Sequence, residues 1–188
     1  MLVVGVLNGF SGSVKKHSSR TSGVVLALLR DEYKAHYIWR ADRSSFLGLG
    51  AGRLREFVQE HNAKENSLLL VGKSFGAKNL IDHVVEPLWK NVMLYYKQLF
   101  LFTIDPCWPS PTNWSPNRNA EVLKVRAHLT LGKNIQVLAP TNEMGGARVE
   151  GPAMENIEVH WPEADHFSIV QRPIVKETLR GLLRRVSR

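Results

Sequence analysis

The segment Gly72-Lys73-Ser74-Phe75-Gly76 sets a serine two positions from a glycine on either side. In such a GxSxG pattern the turn is so tight that the serine takes strained dihedrals. The glycines leave space where a Cβ would strike neighbouring backbone. The apolar run at residues 67–71 enters the turn as a strand and residues 77–89 leave it as a helix, which is the context the pattern requires. Ser74 is therefore the candidate nucleophile. A serine hydroxyl is weak on its own, so the reading demands a base and an orienting acid from elsewhere in the chain.

The base is expected after the last strand, and His166 follows the strand-like residues 157–161 in Pro162-Glu163-Ala164-Asp165-His166. Imidazole suits the role because its ordinary pKa lets one group accept the serine proton and later release it. The other six histidines read as surface or packing residues. Two residues compete for the acid: Asp105, at the end of the strand-like residues 98–104, and Glu143, in the loop after residues 135–138. A carboxylate at a strand end is held rigidly, which favours Asp105. Asp165 adjoins His166 in sequence and reads as a surface charge or loop cap. An oxyanion formed on attack needs two backbone N–H groups, one from the residue after the nucleophile, Phe75. Phe10 or Ser11, in the glycine-flanked turn at residues 8–12, is the expected second donor.

Gly72-Lys73-Ser74 also ends the GxxxxGK[ST] pattern of a phosphate-binding loop. Ser67 stands where the first glycine belongs, and Leu68, Leu69, Leu70 and Val71 occupy the would-be cradle. A strand cannot also wrap a phosphate. A plain strand-to-helix turn is the other competing reading of so short a pattern. Gly48-Leu49-Gly50-Ala51-Gly52 follows no convincing strand and does not read as a dinucleotide site. No cluster of His, Cys and Asp has metal-ligand spacing.

The elements that must position these residues alternate. Short segments rich in Val, Ile, Leu and aromatics fall at 2–7, 36–39, 67–71, 98–104, 135–138 and 157–161. Helical patterns fall at 22–33, 53–63, 77–89 and 173–186. This predicts an α/β fold, a three-layer sandwich with a mostly parallel six-stranded central sheet, because parallel strands need crossover connections. Residues 106–119, with their prolines and Trp108 and Trp114, and residues 141–152, around Gly145-Gly146, read as irregular loops. No repeat or linker interrupts the chain, so residues 1–188 read as one domain.

With 188 residues and 44% hydrophobic composition, there is enough apolar material for one sizeable core. Cys107 is the single cysteine, which rules out an intrachain disulfide; it fits a reducing, cytoplasmic setting, the expected location, and also suits a secreted enzyme that needs no disulfide. The opening apolar run is too short for a secretory segment, and no run approaches the roughly 20 residues of a membrane span. The net charge of +8 would attract polyanions without choosing among them. Arg172, Lys176, Arg180, Arg184 and Arg188 recur every fourth residue beside Val175, Leu179, Leu182, Leu183 and Val186. That pattern is an amphipathic helix with a basic outer face, whose plain reading is a solvated surface helix.

With its GxSxG turn, strand-terminal Asp105-Pro106 and late His166, the chain resembles the α/β-hydrolase superfamily over nearly its whole length, in a minimal form lacking the first two strands and a lid. Thr103-Ile104-Asp105-Pro106 is similar to the Asp-Pro turn of pancreatic-type lipases. In most of the superfamily the acid follows one strand later, which keeps Glu143 open. Lys73 departs from the His or aromatic residue frequent in this turn. The resemblance implies hydrolysis of an ester, thioester or amide through an acyl-serine, without metal or organic cofactor. The expected substrate is small or lipid-like, with Trp108 and Trp114 as pocket walls. The rival expectation is a non-catalytic protein on the same scaffold, docking on nucleic acid or membrane through its basic C-terminal helix.

Overall fold

The computed structural model describes residues 1–8, 18–32, 36–41, 49–91, 94–106, 122–124, 132–138, 148–150, 154–166 and 168–186. The apolar segments become strands β1 (Leu2–Leu7), β2 (His36–Ala41), β3 (Ser67–Lys73), β4 (Gln98–Ile104), β6 (Gly132–Leu138) and β8 (Met154–His160). These pair in the order β2-β1-β3-β4-β6-β8, and every pairing in that sheet is parallel. The chain is thus α/β with a parallel sheet.

The interior strands β1, β3 and β4 are buried on both sides, which is why LVVGVL, SLLLVGK and QLFLFTI read as near-continuous apolar runs. Alternate residues serve opposite faces. Val4, Val6, Leu69, Val71, Phe100 and Phe102 pack with helices α1 (Ser18–Glu32) and α5 (Pro173–Val186). Val3, Leu7, Leu68, Leu70, Leu99 and Leu101 pack with α2 (Leu49–Glu60), α3 (Phe75–Leu80) and α4 (Glu86–Asn91). A π-helical turn, Ile81–Val85, links α3 to α4 and buries Ile81, Val84 and Val85. At the edge, Ile157 and Val159 of β8 are half-buried while Glu158 and His160 are exposed, an alternation of period two.

Several expected boundaries shift. β3 runs two residues beyond Val71, because Gly72 and Lys73 still pair with Thr103 and Ile104. α2 starts at Leu49, so Leu49-Gly50-Ala51-Gly52 opens a helix. It ends at Glu60, where the amide of Asn62 bonds to the Gln59 carbonyl at 3.2 Å and tightens the turn. Residues 141–152 were expected to be irregular throughout. Instead Arg148–Glu150 forms β7, paired in parallel with β5 (Val122–Lys124), and Val149 is fully buried in the core on the α2 face. Strands of three residues have no legible periodicity, which is why neither was expected. Among the described residues no helix is long and apolar enough to cross a membrane.

Candidate active site

The order in which strands are laid down reverses at β1, whose sequence successors β2 and β3 lie on opposite sides of it. In open α/β sheets such a switch point opens a crevice at the carboxyl ends of the strands. Ser74 follows β3 and Asp105 follows β4, and the register Lys73 to Ile104 sets these two residues side by side at that edge. The Ser74 amide extends the ladder by one bond, donating to the Ile104 carbonyl at 3.0 Å.

Ser74 has φ 55° and ψ −130°, a conformation that costs a non-glycine residue on the order of 1–3 kcal/mol. Its surroundings impose the geometry. A Cβ on Gly72 would come within 2.6 Å of Ala77 Cα, and one on Gly76 within 2.4 Å of the Leu7 carbonyl oxygen. The start of α3 is therefore pressed against β3 and the end of β1. Ser74 occupies the N-cap of α3, yet its hydroxyl makes no capping bond. The hydroxyl points instead to His166, with Oγ 2.8 Å from Nε2.

Asp105 also has a positive φ, 42°, which ends β4 abruptly and which Asp tolerates better than most residues. Its carboxylate Oδ2 lies 2.5 Å from His166 Nδ1. A neutral imidazole protonated at Nδ1 satisfies both contacts: Nδ1–H donates to Asp105, and Nε2 accepts from the Ser74 hydroxyl. His166 stands six residues beyond β8, two strand positions from β4 across β6. At roughly 4.8 Å per strand this is about 10 Å, a span residues 161–165 readily cover. The three side chains are almost wholly withdrawn from solvent: Ser74 is 5% exposed, His166 2% and Asp105 0%. A buried carboxylate without a donor would be costly, and the imidazole N–H supplies one.

This arrangement can raise the reactivity of one hydroxyl. When Ser74 Oγ attacks an electrophile its proton passes to Nε2, and the resulting imidazolium lies against the buried Asp105 carboxylate. Phe75, the first residue of α3, is half-buried beside Ser74. Phe10, Ser11, Trp108, Trp114 and Glu143 lie outside the described residues. Asp165 is exposed and caps the turn after it, its Oδ1 accepting from the Ser168 amide at 2.6 Å. Residues 67–72 all sit in the β3 ladder, the strand that argued against a phosphate cradle there.

Sequence reasoning missed the burial of Lys73, which is 6% exposed where lysine is rarely buried. The available signal was the period of two, which aligns Lys73 with Leu69 and Val71 on the α1 and α5 face. Among the described residues His, Cys, Asp and Glu form no group of three or more that could hold a metal ion. No known family profile matches the sequence, and no curated protein matches it significantly.

Proposed function

We propose that this chain is a serine hydrolase of the α/β-hydrolase type, cleaving a carboxylic ester through an acyl intermediate on Ser74. The observation that carries the reading is the continuous relay from Ser74 Oγ through His166 to Asp105 at the end of a strained strand-to-helix turn. In the first half-reaction Ser74 Oγ bonds to the substrate carbonyl carbon while His166 Nε2 takes the hydroxyl proton. His166 then returns that proton to the departing alkoxide as the C–O bond of the ester breaks. In the second half-reaction water gives a proton to Nε2, its oxygen bonds to the acyl carbon, and the Ser74–acyl bond breaks, with the proton returned to Ser74. Phe75 N–H is assigned one oxyanion contact and Phe10 or Ser11, which lie outside the described residues, the other. The chemistry requires neither metal nor organic cofactor. A small or lipid-like acyl group fits the proposal.

Turnover of p-nitrophenyl acetate tests it. The purified chain should hydrolyse the ester, with Ser74→Ala lowering kcat by about 10³-fold or more. Hydrolysis undiminished in that variant would contradict the proposal.

A further inference from the structure

The hydrogen bonds of residues 163–172 close a frame around His166. Asp165 Oδ1 accepts from the Ser168 amide at 2.6 Å, and Ser168 Oγ accepts from the Asp165 amide at 3.2 Å. This is the reciprocal pattern of a capping box, two backbone donors satisfied by two side chains three residues apart. The Ile169 amide donates to the Asp165 carbonyl at 3.1 Å, where the chain enters the 3₁₀ turn Ile169–Gln171. On the far side Arg172 Nη2 donates to the Glu163 carbonyl at 3.1 Å. His166 lies inside the four-residue box, with its ring turned into the protein while Asp165 faces solvent.

We infer that Asp165 and Ser168 are positioning residues, holding the backbone so that His166 meets Asp105 and Ser74 at once. The inference rests on the catalytic role proposed above for those three residues. The need follows from the topology. His166 comes from a connection beyond β8 and must reach partners that end two other strands, β3 and β4. One imidazole can satisfy both only if its Cα is fixed, since a rotation that lengthens one contact disturbs the other. Packing fixes the ring, and the box fixes the chain that carries it. Asp165 does not replace Asp105 as the acid: its Oδ1 is engaged with the Ser168 amide, and its side chain lies on the solvent side.

The box makes a specific forecast. Asn at position 165 keeps the side-chain acceptor and loses the charge, whereas Ala loses both. Asp165→Ala and Ser168→Ala should each lower kcat for p-nitrophenyl acetate by about 10-fold with KM unchanged, while Asp165→Asn stays close to the parent. The downfield Nδ1–H proton resonance of His166 gives a readout independent of turnover. It should be sharp in the parent and in Asp165→Asn, and broadened in Asp165→Ala. A parent without Ser74-dependent turnover would sink the hydrolase reading alone, since the resonance still reports on the box. The positioning role is overturned by any of three results: an unchanged resonance in Asp165→Ala, no such resonance in the parent, or Asp165→Asn behaving like Asp165→Ala.

Discussion

Two contacts set the surroundings of Ser74: its Oγ has an imidazole nitrogen at 2.8 Å, and its amide is tied to β4. The proposed nucleophile and base were legible as candidates because each is marked locally, Ser74 by flanking glycines and His166 by the strand before it and the helix after it. The acid was not. Asp105 and Glu143 each follow a strand, and spacing along the chain cannot say which strand end faces the imidazole. That depends on sheet order, and β4 is the strand that pairs directly with β3. Asp105→Asn should lower kcat by about 10³–10⁴-fold, because the imidazole loses the partner that sets its tautomer and stabilises its charge. Glu143→Gln should remain within a few-fold of the parent. Steady-state kinetics on both variants checks this, and the reverse ranking would move the acid to Glu143.

At the scale of elements, the turn between β3 and α3 is held by contacts rather than by intrinsic preference. Gly76 is the point where α3 meets the end of β1, and a methyl there collides with backbone that has no room to move. Gly76→Ala should lower stability by about 1–3 kcal/mol and reduce esterase turnover as well, since the displaced turn carries Ser74. Gly181 is the converse case. It lies in the exposed face of α5, and an added Cβ meets nothing within 4 Å. Gly181→Ala should raise stability by about 0.5–1 kcal/mol through helix propensity, with turnover unchanged. Thermal melts of the two variants should shift in opposite directions; shifts of the same sign would contradict this account of the turn. Long elements were legible from periodicity, α5 and the strands β1 and β4 to the residue. The short pair β5 and β7 was not, because three residues show no period and Val149 is buried by tertiary packing alone.

On the scale of the whole molecule, both faces of the sheet are covered, and the apolar stripe of α5 is spent on the core. Val175, Leu179, Leu182 and Leu183 are buried, so this helix cannot also lay an apolar face into a bilayer. The opposite side of the sheet is tied by Tyr96, whose hydroxyl donates to the Val58 carbonyl of α2 at 2.6 Å. Burial pushes this phenol above its ordinary value of 10.0. The folded chain therefore keeps Tyr96 protonated at a pH where the unfolded chain releases the proton. Its contribution is fully present below about pH 10 and is lost as pH rises above that value. Melting temperatures of the parent and Tyr96→Phe should therefore converge between about pH 9 and about pH 11. A difference that stays constant across that range would contradict the assignment.

The central claim is that Ser74 is an activated nucleophile, and labelling with a fluorophosphonate tests it most directly. Intact-mass measurement should show one adduct per chain, peptide mapping should assign it to Ser74, and Ser74→Ala should remain unlabelled. A parent chain that takes up no label, or a Ser74→Ala variant labelled to the same extent as the parent, would contradict the account.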